Sequence, residues 1–335
     1  MKLVSYNKDE QDQLAVLVDG LLYDTDLLHH DLPVSMSMFL NYWEDVYTIT
    51  SAINKKVEEG KISRQLGFEY DLVEIFAPVL HTTNCRVAYA FRQHIASSAY
   101  HSKSALLNAF DKYAVYYFTN HNCFRGAGDV ACMPEHLQKL DFELQVAIVI
   151  CKAGKNIKAE DADEYIGGYM IMNNINARYL SEEKECDLLS AKGKGFAIPI
   201  GPMLVTSDEL ESYKVDCKPN HTGNVYNLSM KCKVNGMPVS EANLADMDWT
   251  FAEIIEQVSY GVQLFPGDII SSGPAGSGCF FELNSAGKLN NPDYKEQWLQ
   301  ANDIVELEIE NLGKLSNTIV EYKSELSINE ESADV

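Results

Sequence analysis

The stretch DFELQVAIVI, residues 141–150, begins polar and ends as an unbroken apolar run. Read as a strand that enters a core, it alternates its side chains between two faces, so Glu143 and Gln145 project from the same one. One carboxylate and one amide therefore stand side by side where two carboxylates would make a metal site.

Strand-like runs of the same kind dominate residues 80–325: YIGGYMIMNNINA, GFAIPIGPMLV, NLSMKCKVNGMPV, GDIISSG, CFFELN and DIVELEIENLG. Helices are few. The clearest lies at 250–262, where Thr250 and Glu253 have capping-box spacing and Phe251, Ile254, Ile255, Val258 and Val262 supply an apolar face. AEDADEYI (159–166) predicts a shorter one. This pattern favours a mixed α/β, mostly β architecture with mostly antiparallel strands over a doubly wound sheet.

Ahead of that region, LVSY, QLAVLVDG and LLYDTDLL read as a small β-meander. Apolar residues at three- and four-residue spacing from Met36 to Ile53 predict one helix over 35–60, and GFEYDLVEIFAPV (67–79) reads as extended. The expected domains are thus 1–79, a small N-terminal β-meander plus helix; 80–325, the main β domain; and 326–335, an acidic flexible tail.

The formal net charge is −22. Such acidity argues against nucleic-acid and anionic-membrane partners, which need a basic footprint to neutralise phosphate. There is neither a basic start followed by an apolar run nor an apolar stretch long enough to span a bilayer, so a cytoplasmic protein is expected. The eight cysteines lack C-x-x-C or Cys/His spacing. Reduced thiols are therefore expected, without a disulfide framework or structural zinc site.

Five segments carry a resemblance in order and register: AYAFRQH (88–94), LDFELQVAIVI (140–150), GYMIMNNINAR (168–178), AKGKGF (191–196) and PGDIISSG (266–273). Together they resemble the fumarylacetoacetate hydrolase family. The resemblance implies a β-roll or sandwich behind a small N-terminal β domain, built as a homodimer around a small-molecule substrate. It also implies metal-assisted hydrolysis or decarboxylation of β-diketo or oxo acids through an enolate-like intermediate.

The resemblance is weakest at the family's metal. The family's aspartate seven residues before the R-Q-H histidine is here Val87; its E-x-E is Glu143-Leu-Gln145; its M-N-D is Met172-Asn173-Asn174. Of four expected carboxylates only Glu143 remains. Mg²⁺ and Mn²⁺ are hard cations held mainly by anionic oxygens, and a close charge pair contributes about 4 kcal/mol even at a surface-like dielectric. No tight metal and no other cofactor is therefore expected. Weak Mg²⁺, Ca²⁺ or Mn²⁺ binding through the oxygens of Gln145 and Asn174 stays open. Asp141, on the same strand face, is read first as a solvated strand-start carboxylate, with rescue of a weaker metal site as the alternative.

The resemblance places His94 at the family's general base and Glu282 at the glutamate that orients and charges it. It places Lys194 and Arg178 at cationic positions that bind a substrate carboxylate or a developing oxyanion. Tyr89 and Tyr117 fall at aromatic substrate-contact positions, and Gln145 and Asn174 are counted with them. In SSGPAGSG, Pro274 stands where the family commonly has a threonine, and it lines the cleft without a donor. HIASSAYHSKS (94–104) is expected to form a mobile helix or loop over the pocket. The orphaned Glu143 is expected to take Lys194 or Arg178 as its new partner.

Two classes of function follow. In the first, an enzyme repurposed without metal uses His94, Glu282, Lys194 and Arg178 to rearrange, cyclise or isomerise a polyketide-like or β-diketo substrate, as in natural-product biosynthesis. A hydrolase of a β-diketo or oxo acid using His94–Glu282 with little or no metal is its variant. In the second, the chain is a non-catalytic pseudoenzyme that binds a metabolite or a partner.

Overall fold

The computed structural model describes residues 1–80, 82–99, 104–181 and 193–322. The acidic tail, part of the expected lid segment and the first two residues of AKGKGF fall outside them. Counting strands of three residues or more, the N-terminal meander is β1 (Lys2–Lys8), β2 (Gln11–Val18) and β3 (Leu21–Asp24). Then come β4 (Cys85–Ala88), β5 (Tyr116–Thr119), β6 (Gly128–Cys132), β7 (Leu144–Ile150), β8 (Ile166–Asn173) and β9 (Ile198–Val205). Last are β10 (Ser229–Val234), β11 (Met237–Asn243), β12 (Ile269–Ser271), β13 (Ile304–Ile309) and β14 (Gly313–Glu321).

These strands make a mixed α/β, mostly β fold around two sheets. The larger, 11-stranded sheet runs from the Phe68–Glu69 bridge through β3, β2, β1, β9, β8, β7, β12 and β4 to β5, with Phe124–Arg125 pairing against β9. The smaller runs β11, β10, β13, β14, β6. Across the boundary expected at residue 79, β1 pairs with β9, Lys2 opposite Val205, so one sheet continues through both expected units.

Strand β7 decides the layering. Leu144, Val146, Ile148 and Ile150 join a core shared with Val130, Cys232, Leu307 and Ile319 of the small sheet. Ala147 and Val149, on the other face, join a second core with Leu3, Val16, Phe39 and Trp43. A strand apolar on both faces can only be central, and here it lies between the small sheet and two helices, α1 (Met36–Asn41) and α2 (Trp43–Glu58).

The single helix expected over 35–60 is broken at Tyr42, whose backbone leaves the helical region (φ −107°, ψ 22°). LLYDTDLL is extended only to Asp24 and then makes the helical turn Thr25–Leu28, and GFEYDL is extended only at Phe68–Glu69 before the turn Tyr70–Leu72. Helices α3 (Arg92–Ala99) and α4 (Ser104–Phe110) follow β4. The capping-box helix forms as α5 (Phe251–Ser259), with Thr250 and Glu253 exchanging side-chain and backbone bonds. Thr250→Ala removes one N-cap and is expected to cost about 1 kcal/mol, read as a lowered urea midpoint with an unchanged slope.

The main correction concerns CFFELN. It is not a strand: Phe280–Asn290 form helix α6. A short apolar run has no decisive period of its own, and here a tertiary contact arbitrates. Asp141 Oδ1 accepts from the Phe280 N–H at 2.7 Å and Oδ2 from the Phe281 N–H at 3.1 Å. These bonds satisfy two of the helix's orphan donors and place a carboxylate at its positive end.

Candidate active site

The site gathers at the polar entrance of β7, where β4, β5, β8 and α6 converge. Glu143 is 1% exposed, and its carboxylate is closed by four side-chain donors. Arg178 Nη2 (2.8 Å) and Asn176 Nδ2 (3.4 Å) donate to Oε1; Gln145 Nε2 (2.8 Å) and Asn174 Nδ2 (3.0 Å) donate to Oε2. Gln145 is itself held by Ser271, whose hydroxyl donates to Oε1. Of the two expected partners of Glu143, Arg178 makes the ion pair.

The same arginine donates through Nε to Asp141 Oδ2 at 2.9 Å and lies over the Phe281 ring. Asp141 is therefore not a solvated carboxylate. It is completely buried, joining Arg178 to the first turn of α6. Burial outweighs Arg178 and pushes the Asp141 carboxyl up. For Glu143 burial acts the same way, but Lys194, Arg178 and His94 overcome it and hold the carboxyl below its usual range.

This donor set does not fit a hard divalent cation. Such an ion would have to displace a guanidinium and three amide N–H groups from the one remaining carboxylate of the expected four, while the expected aspartate position, Val87, is packed in the apolar core between Ser271 and Tyr117. Positive charge already sits at Glu143, supplied by the chain itself.

Next to it, Lys194 Nζ donates to the Tyr117 hydroxyl at 3.1 Å and lies over that ring. Burial opposes the lysine's charge, but the neighbouring Tyr117 and Glu143 raise its pKa, so it stays a cation. Burial pushes Tyr117 up too, keeping it a neutral phenol. Its oxygen accepts from Lys194 and, at 3.3 Å, from Asn174. A phenol has one proton to give, and both contacts leave that proton free to donate to a bound oxyanion. Removing it in Tyr117→Phe is expected to lower kcat by roughly 10²-fold with little change in KM, measured by steady-state kinetics.

His94 and Glu282 come together as expected. His94 Nδ1 is hydrogen-bonded to Glu282 Oε1, both side chains buried, and the Ser277 N–H holds Glu282 Oε2 at 2.8 Å. The Tyr89 ring stacks on the imidazole at 6.1 Å and meets the Tyr117 ring at a tilt, 5.8 Å away, linking the dyad to the cationic pocket. A base fixed by a buried carboxylate and joined through Tyr89 to cationic and phenolic donors can take a proton from carbon while the electron pair moves onto oxygen. Pro274 is buried just after β12. The preceding Gly273 (φ +74°) comes so near Ala88 that an added Cβ would meet its carbonyl oxygen at 2.0 Å, which admits only glycine.

Asp141, Asn176, Ser277 and Cys279 join this site although sequence reading did not place them there. The parity of Asp141 with Glu143 puts it on the same strand face, but only its burial and its bonds to Arg178 and α6 bring it into the site; Cys279 could have been found from its three-residue spacing to Glu282 had α6 been expected as a helix. Nothing local marks Asn176 or Ser277.

Residues 83–320 match the family model described as fumarylacetoacetate hydrolase, C-terminal. A fumarylacetoacetate hydrolase domain-containing protein 2 homolog of Dictyostelium discoideum is 27% identical over 95% of this chain and 97% of its own. The mitochondrial oxaloacetate tautomerase fahd2 of Xenopus laevis is 34% identical over 58% of this chain and 54% of its own. Among solved structures, a probable 2-hydroxyhepta-2,4-diene-1,7-dioate isomerase of Mycobacterium abscessus aligns over 97% of this chain with TM-score 0.67 at 20% identity. A maleylpyruvate hydrolase of Sphingobium, in complex with manganese(II) and pyruvate, aligns over 96% with TM-score 0.66 at 17% identity. At these identities the structural likenesses establish the fold alone.

Proposed function

Since the chain belongs to the fumarylacetoacetate hydrolase family, we propose that it is a metal-independent isomerase that moves a proton between carbon and oxygen in a β-diketo or 2-oxo acid. The observation that carries this reading is the exchange at Glu143: Arg178 and three amides close the carboxylate, while the His94–Glu282 dyad stays intact. His94 removes the proton, and Glu282, steadied by the Ser277 N–H, stabilises the resulting imidazolium. Lys194 and Tyr117 receive the enolate oxygen, and the same imidazolium returns the proton at the new position.

Isomerisation suits these groups better than hydrolysis. Cleaving a carbon–carbon bond with water also requires a strongly polarised carbonyl, a task in which a metal Lewis acid supplies several kcal/mol. Shuttling a proton requires only a base and a preorganised charge. The name of the oxaloacetate tautomerase relative suggests short oxo-dicarboxylates as first substrates to try. Ring closure of a longer polyketide-like chain would use the same enolate and add positioning of its two ends.

The test is turnover after exhaustive chelation. Enol-to-keto conversion of oxaloacetate and of longer β-diketo acids, followed by ultraviolet absorbance, is expected to persist at full rate in EDTA. Activity that vanishes with chelation and returns only with Mg²⁺ or Mn²⁺ would sink the proposal. A stripped protein that binds such acids with no turnover would establish the non-catalytic alternative.

A further inference from the structure

We propose that Cys279, Glu282 and His94 form a binding site for a divalent cation of the zinc class, and that filling it switches the dyad off. The inhibitory part rests on His94–Glu282 being the acting dyad; the binding part does not. One ligand atom from each of the three lies within 4.8 Å of the others, and all three residues are buried. Cys279 Sγ is 3.9 Å from Glu282 Oε1, the oxygen that holds His94 Nδ1.

Helix α6 builds this arrangement. Cys279 is its N-cap and Glu282 lies in its first turn, three residues on and so on one face. An N-cap side chain ordinarily accepts from the first backbone N–H groups, but Cys279 makes no such bond. Asp141, reaching in from beside β7, takes the N–H groups of Phe280 and Phe281 instead. The cap is thus supplied by another element, and the sulfur turns to the dyad.

The donors are one sulfur, one nitrogen and one oxygen. That set suits Zn²⁺, or Co²⁺ as its spectroscopic stand-in, and does not suit Mg²⁺, Ca²⁺ or Mn²⁺, which prefer oxygen. A tetrahedral ion spaces such ligand atoms about 3.5 Å apart, so the sulfur draws inward while the dyad opens slightly. On binding, the Cys279 S–H bond breaks and its proton leaves to solvent, the proton between His94 Nδ1 and Glu282 passes to His94 Nε2, which is then no longer free to act as a base, and the ion takes its place. No group changes oxidation state. With the imidazole nitrogen and the carboxylate both held by the ion, the dyad can no longer carry a proton. The site therefore couples turnover to free zinc-class metal, although the neighbouring Glu143 pocket carries its own cations.

The test uses the full chain, stripped with chelator and titrated with Co²⁺ and then Zn²⁺. Expected are one ion per chain, a thiolate-to-cobalt charge-transfer band that Zn²⁺ abolishes, and no displacement by excess Mg²⁺. Cys279→Ser, with Cys279→Ala as a second variant and circular dichroism to confirm folding, should lose the band. Each should bind Zn²⁺ more weakly by at least roughly 10–100-fold, the effect that removing even an outer-shell partner can have. His29, His30 and Asp31 form another cluster, partly exposed, so the double variant His29→Ala/His30→Ala must keep the band. A band that survives in folded Cys279→Ser, or no stoichiometric uptake by the native chain, overturns the site. Turnover of the stripped enzyme should fall in step with Zn²⁺ occupancy. Undiminished turnover at full occupancy overturns the inhibitory part, whereas a cobalt band without turnover in any state leaves the site standing and removes the isomerase reading.

Discussion

His94→Ala lowers kcat/KM by roughly 10²–10⁴-fold, the usual contribution of a positioned general base. The loss falls mainly on kcat, because the groups that would hold the oxyanion, Lys194 and Tyr117, are untouched. A smaller side chain also leaves Glu282 buried with one partner fewer, so His94→Gln serves as the companion variant: its amide can still donate to Glu282 but cannot take a proton from carbon. Both variants should show this loss, and His94→Gln should fold with near-native stability. Glu282→Gln should lose less, since the imidazole remains and only its charge partner is gone. If His94→Gln turned over at the native rate, the dyad would have no part in the chemistry.

Arg178→Met is expected to be the most damaging change to stability. It leaves Asp141 and Glu143, both fully buried, without their shared cation, and uncovering a buried charge in this way costs about 3–5 kcal/mol. Urea denaturation should record it as a lower midpoint. The pH dependence gives the electrostatic signature. In the native chain the Glu143 carboxyl is depressed, so its stabilising contribution is present above the ordinary glutamate range and is lost as pH falls through the folded value. Without Arg178, the Asp141 carboxyl, already raised by burial, loses the cation that opposes that rise, and Glu143 keeps only Lys194 and His94 to hold it down; the folded variant then binds more protons than the native fold, and it loses less stability than the native chain as pH falls. The gap between native and variant should therefore narrow as pH falls from neutrality toward the carboxylate range. Adding Glu143→Gln to Arg178→Met should recover part of the loss, because the unpaired charge is gone. A gap independent of pH would mean that the arginine contributes packing rather than charge.

The fold was legible where the pattern was long. Strands β7, β8 and β9 and helix α5 follow from unbroken apolar runs and from a capping box, signals that survive in any tertiary setting. Where the local signal was short or ambiguous, the element was decided elsewhere: CFFELN opens a helix because Asp141, distant in sequence, caps it, and the helix expected over 35–60 is two helices with Tyr42 at the break.

The site divides the same way. By itself the sequence determined which groups are present: a histidine and a glutamate in family register, one carboxylate left of four, and two cations nearby. Only the tertiary structure decided how they are paired. It gave Glu143 to Arg178 and Lys194 to Tyr117, buried Asp141 between the arginine and the first turn of α6, and set Cys279 beside the dyad. The physical reason is that composition and register are properties of one chain segment, whereas the partner of a buried charge is chosen by desolvation. In a buried site, each ion must find a counter-charge or a donor within hydrogen-bond reach, and which one is in reach depends on elements up to 188 residues apart in the chain.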